Sequence, residues 1–232
     1  MGIHPGRASL ETAPSRLISR RLALGSVLGL APTVWAPAAR ASERVRSVAG
    51  IIGCERWGAR PPAEDVVVLA SPPRRIVVHH TATRNLEDFS LGRAVALARA
   101  VQDLHMDTRG WIDTGQHFTV SRGAYVTEGR HRSLAELNEG LRQVRSAHCV
   151  GQNDVAVGIE TEGTYTGVEP PPQQFEALVE LSAYVCGRYG LDPAEIWGHR
   201  DFNDTACPGD RLYALLPRLR DEVAARLAAR LH

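Results

Sequence analysis

A histidine and a cysteine stand eight residues apart in a short polar stretch, residues 196–210, which reads IWGHRDFNDTACPGD. Pro208 and Gly209 follow Cys207 directly, and such residues turn the chain sharply. Imidazole and thiolate are groups that Zn²⁺ prefers, and a catalytic zinc takes three protein ligands and keeps a fourth position open. The spacing therefore predicts a loop that aims His199 and Cys207 at one metal ion, with a third ligand from elsewhere.

The third ligand is expected at the end of an apolar, β-branched run, residues 75–79, RIVVH, which is typical of a strand. His79 ends this run and His80 follows it. Because side chains alternate along a strand, the two cannot both face one groove. The alternative is that the histidine is structural and that the pairing of His199 with Cys207 arises by chance.

Two glutamates follow another apolar strand, in residues 158–163, GIETEG. Alternation puts Glu160 and Glu162 on one face. Amide hydrolysis needs a nucleophilic water and a polarised carbonyl, which zinc provides by lowering the pKa of bound water to about 7 and acting as a Lewis acid. It also needs a general acid or base. Both carboxylates are thus expected to face the metal groove, and the alternative is that they are solvated at the strand end.

The remaining pattern predicts the elements that position these residues. Strands are predicted at residues 66–69, 75–79, 116–121, 124–127, 155–161 and 196–197. Helices are predicted at residues 90–106, 173–189 and 211–231, the first capped by Ser90, the second ended by Gly190 and the last bent at Pro217. The strand at residues 155–161 is the most apolar, so we expect it in the centre, beside the strand that ends in His79. These elements predict an α/β domain with a mixed sheet.

The first 41 residues are predicted to be an export signal rather than part of the fold. Arg20 and Arg21 precede a modestly apolar run at residues 23–38, and Ala39-Arg40-Ala41 closes it, as in a secretory signal of twin-arginine type. Cleavage near Ala41 would release residues 42–232 outside the cytoplasm as one domain. The alternative is an uncleaved N-terminal anchor.

The charge composition of the chain indicates which kinds of binding partner to expect. The chain has 27 basic and 26 acidic residues, a balance that argues against a nucleic-acid partner. Of the four cysteines, Cys54, Cys149 and Cys186 remain if Cys207 binds metal. An exported protein can carry one disulfide among these three with one odd thiol, and the sequence does not indicate which two would pair.

Five segments in order, HHTAT, DTGQHF, SAHCVGQN, VGIETEG and GHRDFNDTACPG, resemble zinc-dependent type 2 N-acetylmuramoyl-L-alanine amidases and the peptidoglycan recognition proteins that share their fold. The resemblance runs from about Trp57 to Leu215. It implies a central β-sheet flanked by helices, with Zn²⁺ in a groove at one edge. It also implies an exported hydrolase that cleaves the amide between N-acetylmuramic acid and L-alanine in peptidoglycan or muropeptides. We expect a monomer without membrane contact after signal cleavage.

The resemblance also assigns catalytic and metal-binding roles. It makes His79 rather than His80 the metal ligand, beside His199 and Cys207. Many members carry a tyrosine where this chain has Gln116, which cannot exchange a proton at neutral pH. A bacterial branch instead uses a glutamate at the end of its IGIE strand, which corresponds to Glu160. Glu160 is therefore the predicted acid or base.

The remaining assignments concern the substrate and the loop. Thr205 matches a position near the scissile carbonyl, where its hydroxyl can donate to an oxyanion, although a plain loop threonine is the alternative. His148, Gln116, Trp111 and His80 are expected to contact substrate or support the site. Arg200 and Asp201 are expected to shape the loop through ion pairing or through hydrogen bonds to the ligands.

Other functions make different predictions. A non-catalytic peptidoglycan-binding protein typically lacks the cysteine ligand, so Cys207 counts against that class. A zinc hydrolase of another amide would lack the groove residues that match His148 and Trp111. A papain-like protease using Cys207 would keep its activity in the presence of chelators and lose it on thiol alkylation.

Overall fold

The structure is a computed structural model that describes residues 50–230, so the predicted export signal lies outside the described residues and stays a prediction. The strands are β1 (Val68–Leu69), β2 (Arg75–His80), β3 (Phe118–Val120), β4 (Val126–Glu128), β5 (Gln143–Val144), β6 (Ala156–Thr161) and β7 (Ile196–Gly198). The helices are α1 (Cys54–Trp57), α2 (Leu91–Asp103), α3 (Ser133–Glu139), α4 (Pro172–Tyr189), α5 (Asp210–Ala214) and α6 (Leu216–Ala229). A π-helical turn, Leu104–Thr108, continues α2, and 3₁₀ turns form at Pro193–Glu195 and His199–Asp201.

Five strands form a mixed sheet in the order β4-β3-β6-β2-β7. β6 runs parallel to both of its neighbours, β2 and β3, while β4 pairs antiparallel with β3. The expected central position of this most apolar strand is confirmed. The two strands predicted at residues 116–121 and 124–127 form the hairpin of β3 and β4. The register sets His79 opposite Glu160 and Val78 opposite Gly198, which brings three strand ends together at one edge of the sheet.

The main hydrophobic core covers one face of the sheet. Ile76 and Val78 of β2 and Ile159 of β6 belong to it with α4 and α6 side chains such as Leu178 and Leu219. Alternation turns the intervening residues of both strands, including Val77, to the opposite face. That second face is therefore free to carry polar side chains at the strand ends.

The ends of the long helices follow their capping signals. The Ser90 hydroxyl accepts a hydrogen bond from the Arg93 amide at the start of α2, and Gly190, with φ of 67°, ends α4. The predicted helix at residues 90–106 is α-helical only to Asp103, after which the π-helical turn begins. The last helix divides into α5 and α6 just before Pro217, at Leu215.

Two parts of the prediction need correction. The strand predicted at residues 66–69 is only the two-residue β1, which pairs with β5 in a separate small sheet. The sequence shows no helical period for the short helices α1 and α3, because they contain only four and seven residues, about one and two helical turns.

The four cysteines are buried and form no disulfide. Among residues 50–230, no helix combines the length and apolar character that a membrane crossing requires.

Candidate metal centre

Three side chains from separate elements aim ligand atoms at one position. His79, His199 and Cys207 place these atoms within 4.8 Å of one another. The two Nδ1 atoms are 3.1 Å apart, and the Cys207 Sγ is 3.6 Å from the His79 Nδ1. Tetrahedral Zn²⁺ at its usual bond lengths would set nitrogens about 3.4 Å apart and nitrogen and sulfur about 3.6 Å apart. The donor set therefore fits a three-ligand zinc site with one open position.

Parallel pairing explains why the two histidines meet. Val78 of β2 lies opposite Gly198 of β7. His79 and His199 follow these two residues directly, so both project from the same edge of the sheet. The loop after His199 returns Cys207 to this point, and the Arg200 amide donates to the Cys207 carbonyl at 3.0 Å.

The side chains of Arg200 and Asp201 brace this loop. The Arg200 guanidinium contacts Asp210 at 2.7 Å, and Asp201 accepts from the Gly198 amide at 2.8 Å. These bonds reach loop backbone and a neighbouring carboxylate. The expected role of Arg200 and Asp201 in shaping the loop thus takes the form of an ion pair and of hydrogen bonds that include the Cys207 backbone, while Asn203 supplies the side-chain contact with the His199 ring.

The protonation of the ligand residues is set by burial. Desolvation raises the pKa of the Cys207 thiol to about 12, with the negative charge of Glu160 acting in the same direction. Such a thiol is not a free nucleophile at neutral pH, which argues against a papain-like protease, but a bound cation would favour its thiolate. Burial also lowers the pKa of His79 and of His199, which keeps both imidazoles in the neutral, metal-binding form.

The Glu160 carboxyl lies in the same cavity as the three ligand residues. Burial raises its pKa to about 7, while the charge of Arg109 opposes the shift. Its Oε2 atom has no hydrogen-bond partner within the described residues. A partly buried carboxyl with a pKa near neutrality and a free oxygen suits proton transfer.

Glu162 does not line this cavity. Its carboxylate is 1% exposed and binds the Arg93 guanidinium at 2.8 Å and the Arg122 amide at 2.9 Å. The expectation that both glutamates face the groove is thus wrong for Glu162. Glu162 lies one residue beyond the end of β6, and its carboxylate is occupied by Arg93 of α2 and by the Arg122 amide.

Removing the Glu162 carboxylate is expected to destabilise the domain. Glu162→Ala leaves the Arg122 amide and the largely buried Arg93 guanidinium without their acceptor, at a cost of roughly 2–4 kcal/mol. For a domain of this size that lowers Tm by about 4–16 °C, which thermal unfolding followed by circular dichroism would measure.

The matched control is Asp154→Ala. Asp154 pairs with Arg145 at 2.6 Å, but the two side chains are 59% and 49% exposed, so its loss is expected to cost less than about 1 kcal/mol. Equal Tm changes in the two variants would contradict the structural role of Glu162.

The cavity around the metal centre has a volume of about 560 Å³. α2 and the π-helical turn supply an apolar wall of Leu97, Ala100, Val101 and Leu104. The sequence pattern placed this helix on the sheet but did not indicate that it borders the site. A concave space with one apolar wall and convergent polar groups is typical of a small-ligand or peptide site.

The residues predicted to contact substrate also line this cavity. The Trp111 ring lies 4.6 Å from the His105 ring, with the Arg109 guanidinium 5.0 Å above it. The Gln116 Nε2 donates to the Thr119 hydroxyl at 2.8 Å, while its Oε1 has no partner among the described residues. Gln116 is therefore buried at the cavity wall, with one polar atom that lacks a partner among the described residues.

The other three predicted residues have identifiable hydrogen bonds. The Thr205 hydroxyl accepts from the Cys207 amide at 3.2 Å, which leaves its own hydrogen available. The His80 ring accepts from the Tyr165 amide, and the His80 amide contacts the Cys207 sulfur at 3.4 Å. The His148 ring contacts His79 at 2.9 Å as well as bordering the cavity.

Residues 69–210, more than half of the chain, match a protein family described as N-acetylmuramoyl-L-alanine amidase. The chain is 34% identical to the N-acetylmuramoyl-L-alanine amidase of Sus scrofa, over 75% of this chain and 28% of that protein. It therefore spans little more than a quarter of that relative. It is 31% identical to peptidoglycan-recognition protein LB of Drosophila melanogaster, over 72% of this chain and 68% of that protein.

Solved structures show the same fold. Wild-type Drosophila PGRP-LB superposes with a TM-score of 0.62 at 31% identity, over 71% of this chain and 91% of that chain. Peptidoglycan recognition protein LE, solved in complex with tracheal cytotoxin, a monomeric diaminopimelic acid-type peptidoglycan, superposes with a TM-score of 0.63 at 26% identity, over 72% of this chain and 92% of that chain.

Proposed function

Because the chain belongs to the N-acetylmuramoyl-L-alanine amidase family, we propose that it is a zinc-dependent hydrolase of the amide between N-acetylmuramic acid and L-alanine in peptidoglycan. The observation that carries this proposal is one cavity that holds the group of His79, His199 and Cys207 together with the Glu160 carboxyl. The complex of a similar recognition protein with a monomeric peptidoglycan supports the substrate class.

His79, His199 and Cys207 would hold the metal through two neutral imidazoles and a thiolate. Zn²⁺ bound there would supply a Lewis acid for the carbonyl and lower the pKa of the attacking water. Retention of the cysteine favours a hydrolase over a protein that only binds peptidoglycan.

Glu160 would carry the proton in both halves of the reaction. As a carboxylate it takes a proton from the attacking water, and as a carboxylic acid it gives that proton to the departing nitrogen of L-alanine when the C–N bond breaks. A pKa of about 7 makes both forms accessible at neutral pH. Gln116 cannot perform this exchange.

The remaining polar residues would orient the substrate. The free Thr205 hydroxyl hydrogen is suited to donate to the carbonyl oxygen as negative charge develops on it. The unpartnered Gln116 Oε1 can accept from a substrate amide. Trp111 and His148 would border the bound stem peptide or sugar.

The decisive experiment is an assay of stem-peptide release from purified peptidoglycan and from a small muropeptide. We expect release of peptides that begin with a free L-alanine amine, loss of release with a chelator, and recovery when zinc is added back. Mass spectrometry identifies the new amine terminus. Binding of the muropeptide without release, in protein that holds one zinc per chain, would instead show a binding protein.

A further inference from the structure

Each candidate histidine ligand has a hydrogen-bond partner on the ring nitrogen that faces away from the metal position. The His79 Nε2 lies 2.9 Å from the His148 Nδ1. The His199 Nε2 lies 3.1 Å from the Asn203 Oδ1. The two ligand rings are thus held in the same way, with Nδ1 directed at the shared point and Nε2 at a polar side chain.

These contacts determine which nitrogen carries the proton. An amide oxygen can only accept, so His199 must donate from Nε2 to Asn203, which leaves its Nδ1 lone pair free. A neutral imidazole has one donor nitrogen and one acceptor nitrogen. With its Nε2 hydrogen directed at the Ala156 carbonyl, 3.4 Å away, the His148 Nδ1 accepts from the His79 Nε2.

A single loop, residues 148–153, connects the two partners. The Asn153 Oδ1 accepts from the amides of His148 and Cys149, each at 2.9 Å. The Cys149 thiol donates to the Asn203 Oδ1 at 3.2 Å, and the Asn203 Nδ2 donates to the Val150 carbonyl at 3.3 Å. This loop therefore carries His148 itself and holds Asn203 through the Cys149 thiol and the Val150 carbonyl.

Gly158 of β6 makes room for the His148 ring. A Cβ atom at residue 158 would lie 2.3 Å from that ring, closer than any packed contact allows. A side chain at this position would displace His148 from His79. The lack of a side chain at residue 158 therefore leaves the space that the His148 ring occupies.

We propose that His148 and Asn203 are positioning residues that hold His79 and His199 in the Nε2-protonated tautomer, with Nδ1 directed at the metal. This inference rests on the metal site of the proposed function. It assigns His148 an action through His79 in addition to any contact with substrate. Partners of this kind orient a metal-bound imidazole and raise its basicity.

The test is the zinc affinity of the full chain, measured by competition with a chromophoric chelator, which does not depend on hydrolysis. Asn203→Ala and His148→Leu are each expected to weaken zinc binding about 10–100-fold. Asn203→Asp keeps an acceptor oxygen for His199, and His148→Asn keeps one near the position of the His148 Nδ1. Both conservative variants are expected to recover most of the lost affinity.

Further variants separate positioning from general damage to the fold. Gly158→Ala leaves both partner side chains in the sequence but displaces the His148 ring, so it is expected to weaken zinc binding as His148→Leu does. Cys186→Ala changes a buried thiol of α4 that contacts neither His148 nor Asn203, so its zinc affinity is expected to stay close to that of the unchanged chain. Circular dichroism of each metal-free variant reports folding independently.

Absorption of the Co²⁺-substituted protein gives a second readout, since its ligand-field bands report coordination geometry. We expect altered bands in Asn203→Ala and restored bands in Asn203→Asp. Folded Asn203→Ala and His148→Leu proteins with unchanged zinc affinity would overturn the inference while leaving the amidase proposal standing. An unchanged chain that binds no zinc would overturn the metal site itself.

Discussion

Glu160→Gln is expected to lower kcat for stem-peptide release by about 10²–10⁴-fold, the usual contribution of a positioned acid or base. Glutamine has nearly the same shape but cannot take or give a proton at neutral pH, so the metal ligands should keep their places. The measurement is kcat and KM on a defined muropeptide, with the zinc content of both proteins determined. A loss in kcat with full zinc content is the expected combination.

The dependence of the rate on pH tests whether the Glu160 carboxyl titrates during the reaction. Burial raises the pKa of Glu160 to about 7, so the carboxylate form, which acts as the base, increases as pH rises towards neutrality. A bound divalent cation favours the carboxylate and moves this transition to lower pH. We therefore expect kcat/KM to rise with pH through a transition at or below about pH 7, and this transition to be absent from the residual activity of Glu160→Gln.

The matched control for Glu160 is Asp154→Asn, which neutralises an exposed carboxylate away from the cavity. Its rate and pH profile should equal those of the unchanged protein. Full activity in Glu160→Gln would remove Glu160 from the mechanism.

Cys207→Ser is expected to weaken zinc binding by more than about 100-fold. This is a larger loss than we expect from removing a residue that only forms a hydrogen bond with a ligand. An alcohol is a far poorer zinc ligand than a thiolate, and two imidazoles alone leave the site one ligand short. Stem-peptide release should fall in parallel and recover only partly at high zinc concentration. Chelator competition and metal analysis measure the first effect, and the muropeptide assay measures the second.

Cys186→Ala is the control for Cys207. Cys186 is a buried thiol of α4 within the main core and does not line the cavity, so its replacement should affect stability but not zinc affinity. If Cys207→Ser retained both zinc and activity, the three-ligand site would be wrong. If chelators left activity intact while thiol alkylation abolished it, Cys207 would be acting as a nucleophile.

The amino-acid sequence by itself determined the elements and the types of ligand. An apolar β-branched run predicted a strand that ends in His79, and residues 196–197 predicted a brief strand that leads into the His199 loop. The most apolar run proved to be the central strand β6. The Ser90 cap and the Gly190 terminus were also predictable. Patterns of this kind are local, because they depend on the side-chain periods of helix and strand and on single capping residues.

Only the tertiary structure decided what each polar side chain contacts. Glu160 and Glu162 look equivalent in the sequence, yet Glu162 pairs with Arg93 of α2, 69 residues away along the chain. His148 contacts His79 across a separation of 69 residues as well. Asn203 appears as an ordinary loop residue until its oxygen is seen beside the His199 ring. A hydrogen bond between distant residues depends on sheet register and loop path, which no local period of the sequence encodes.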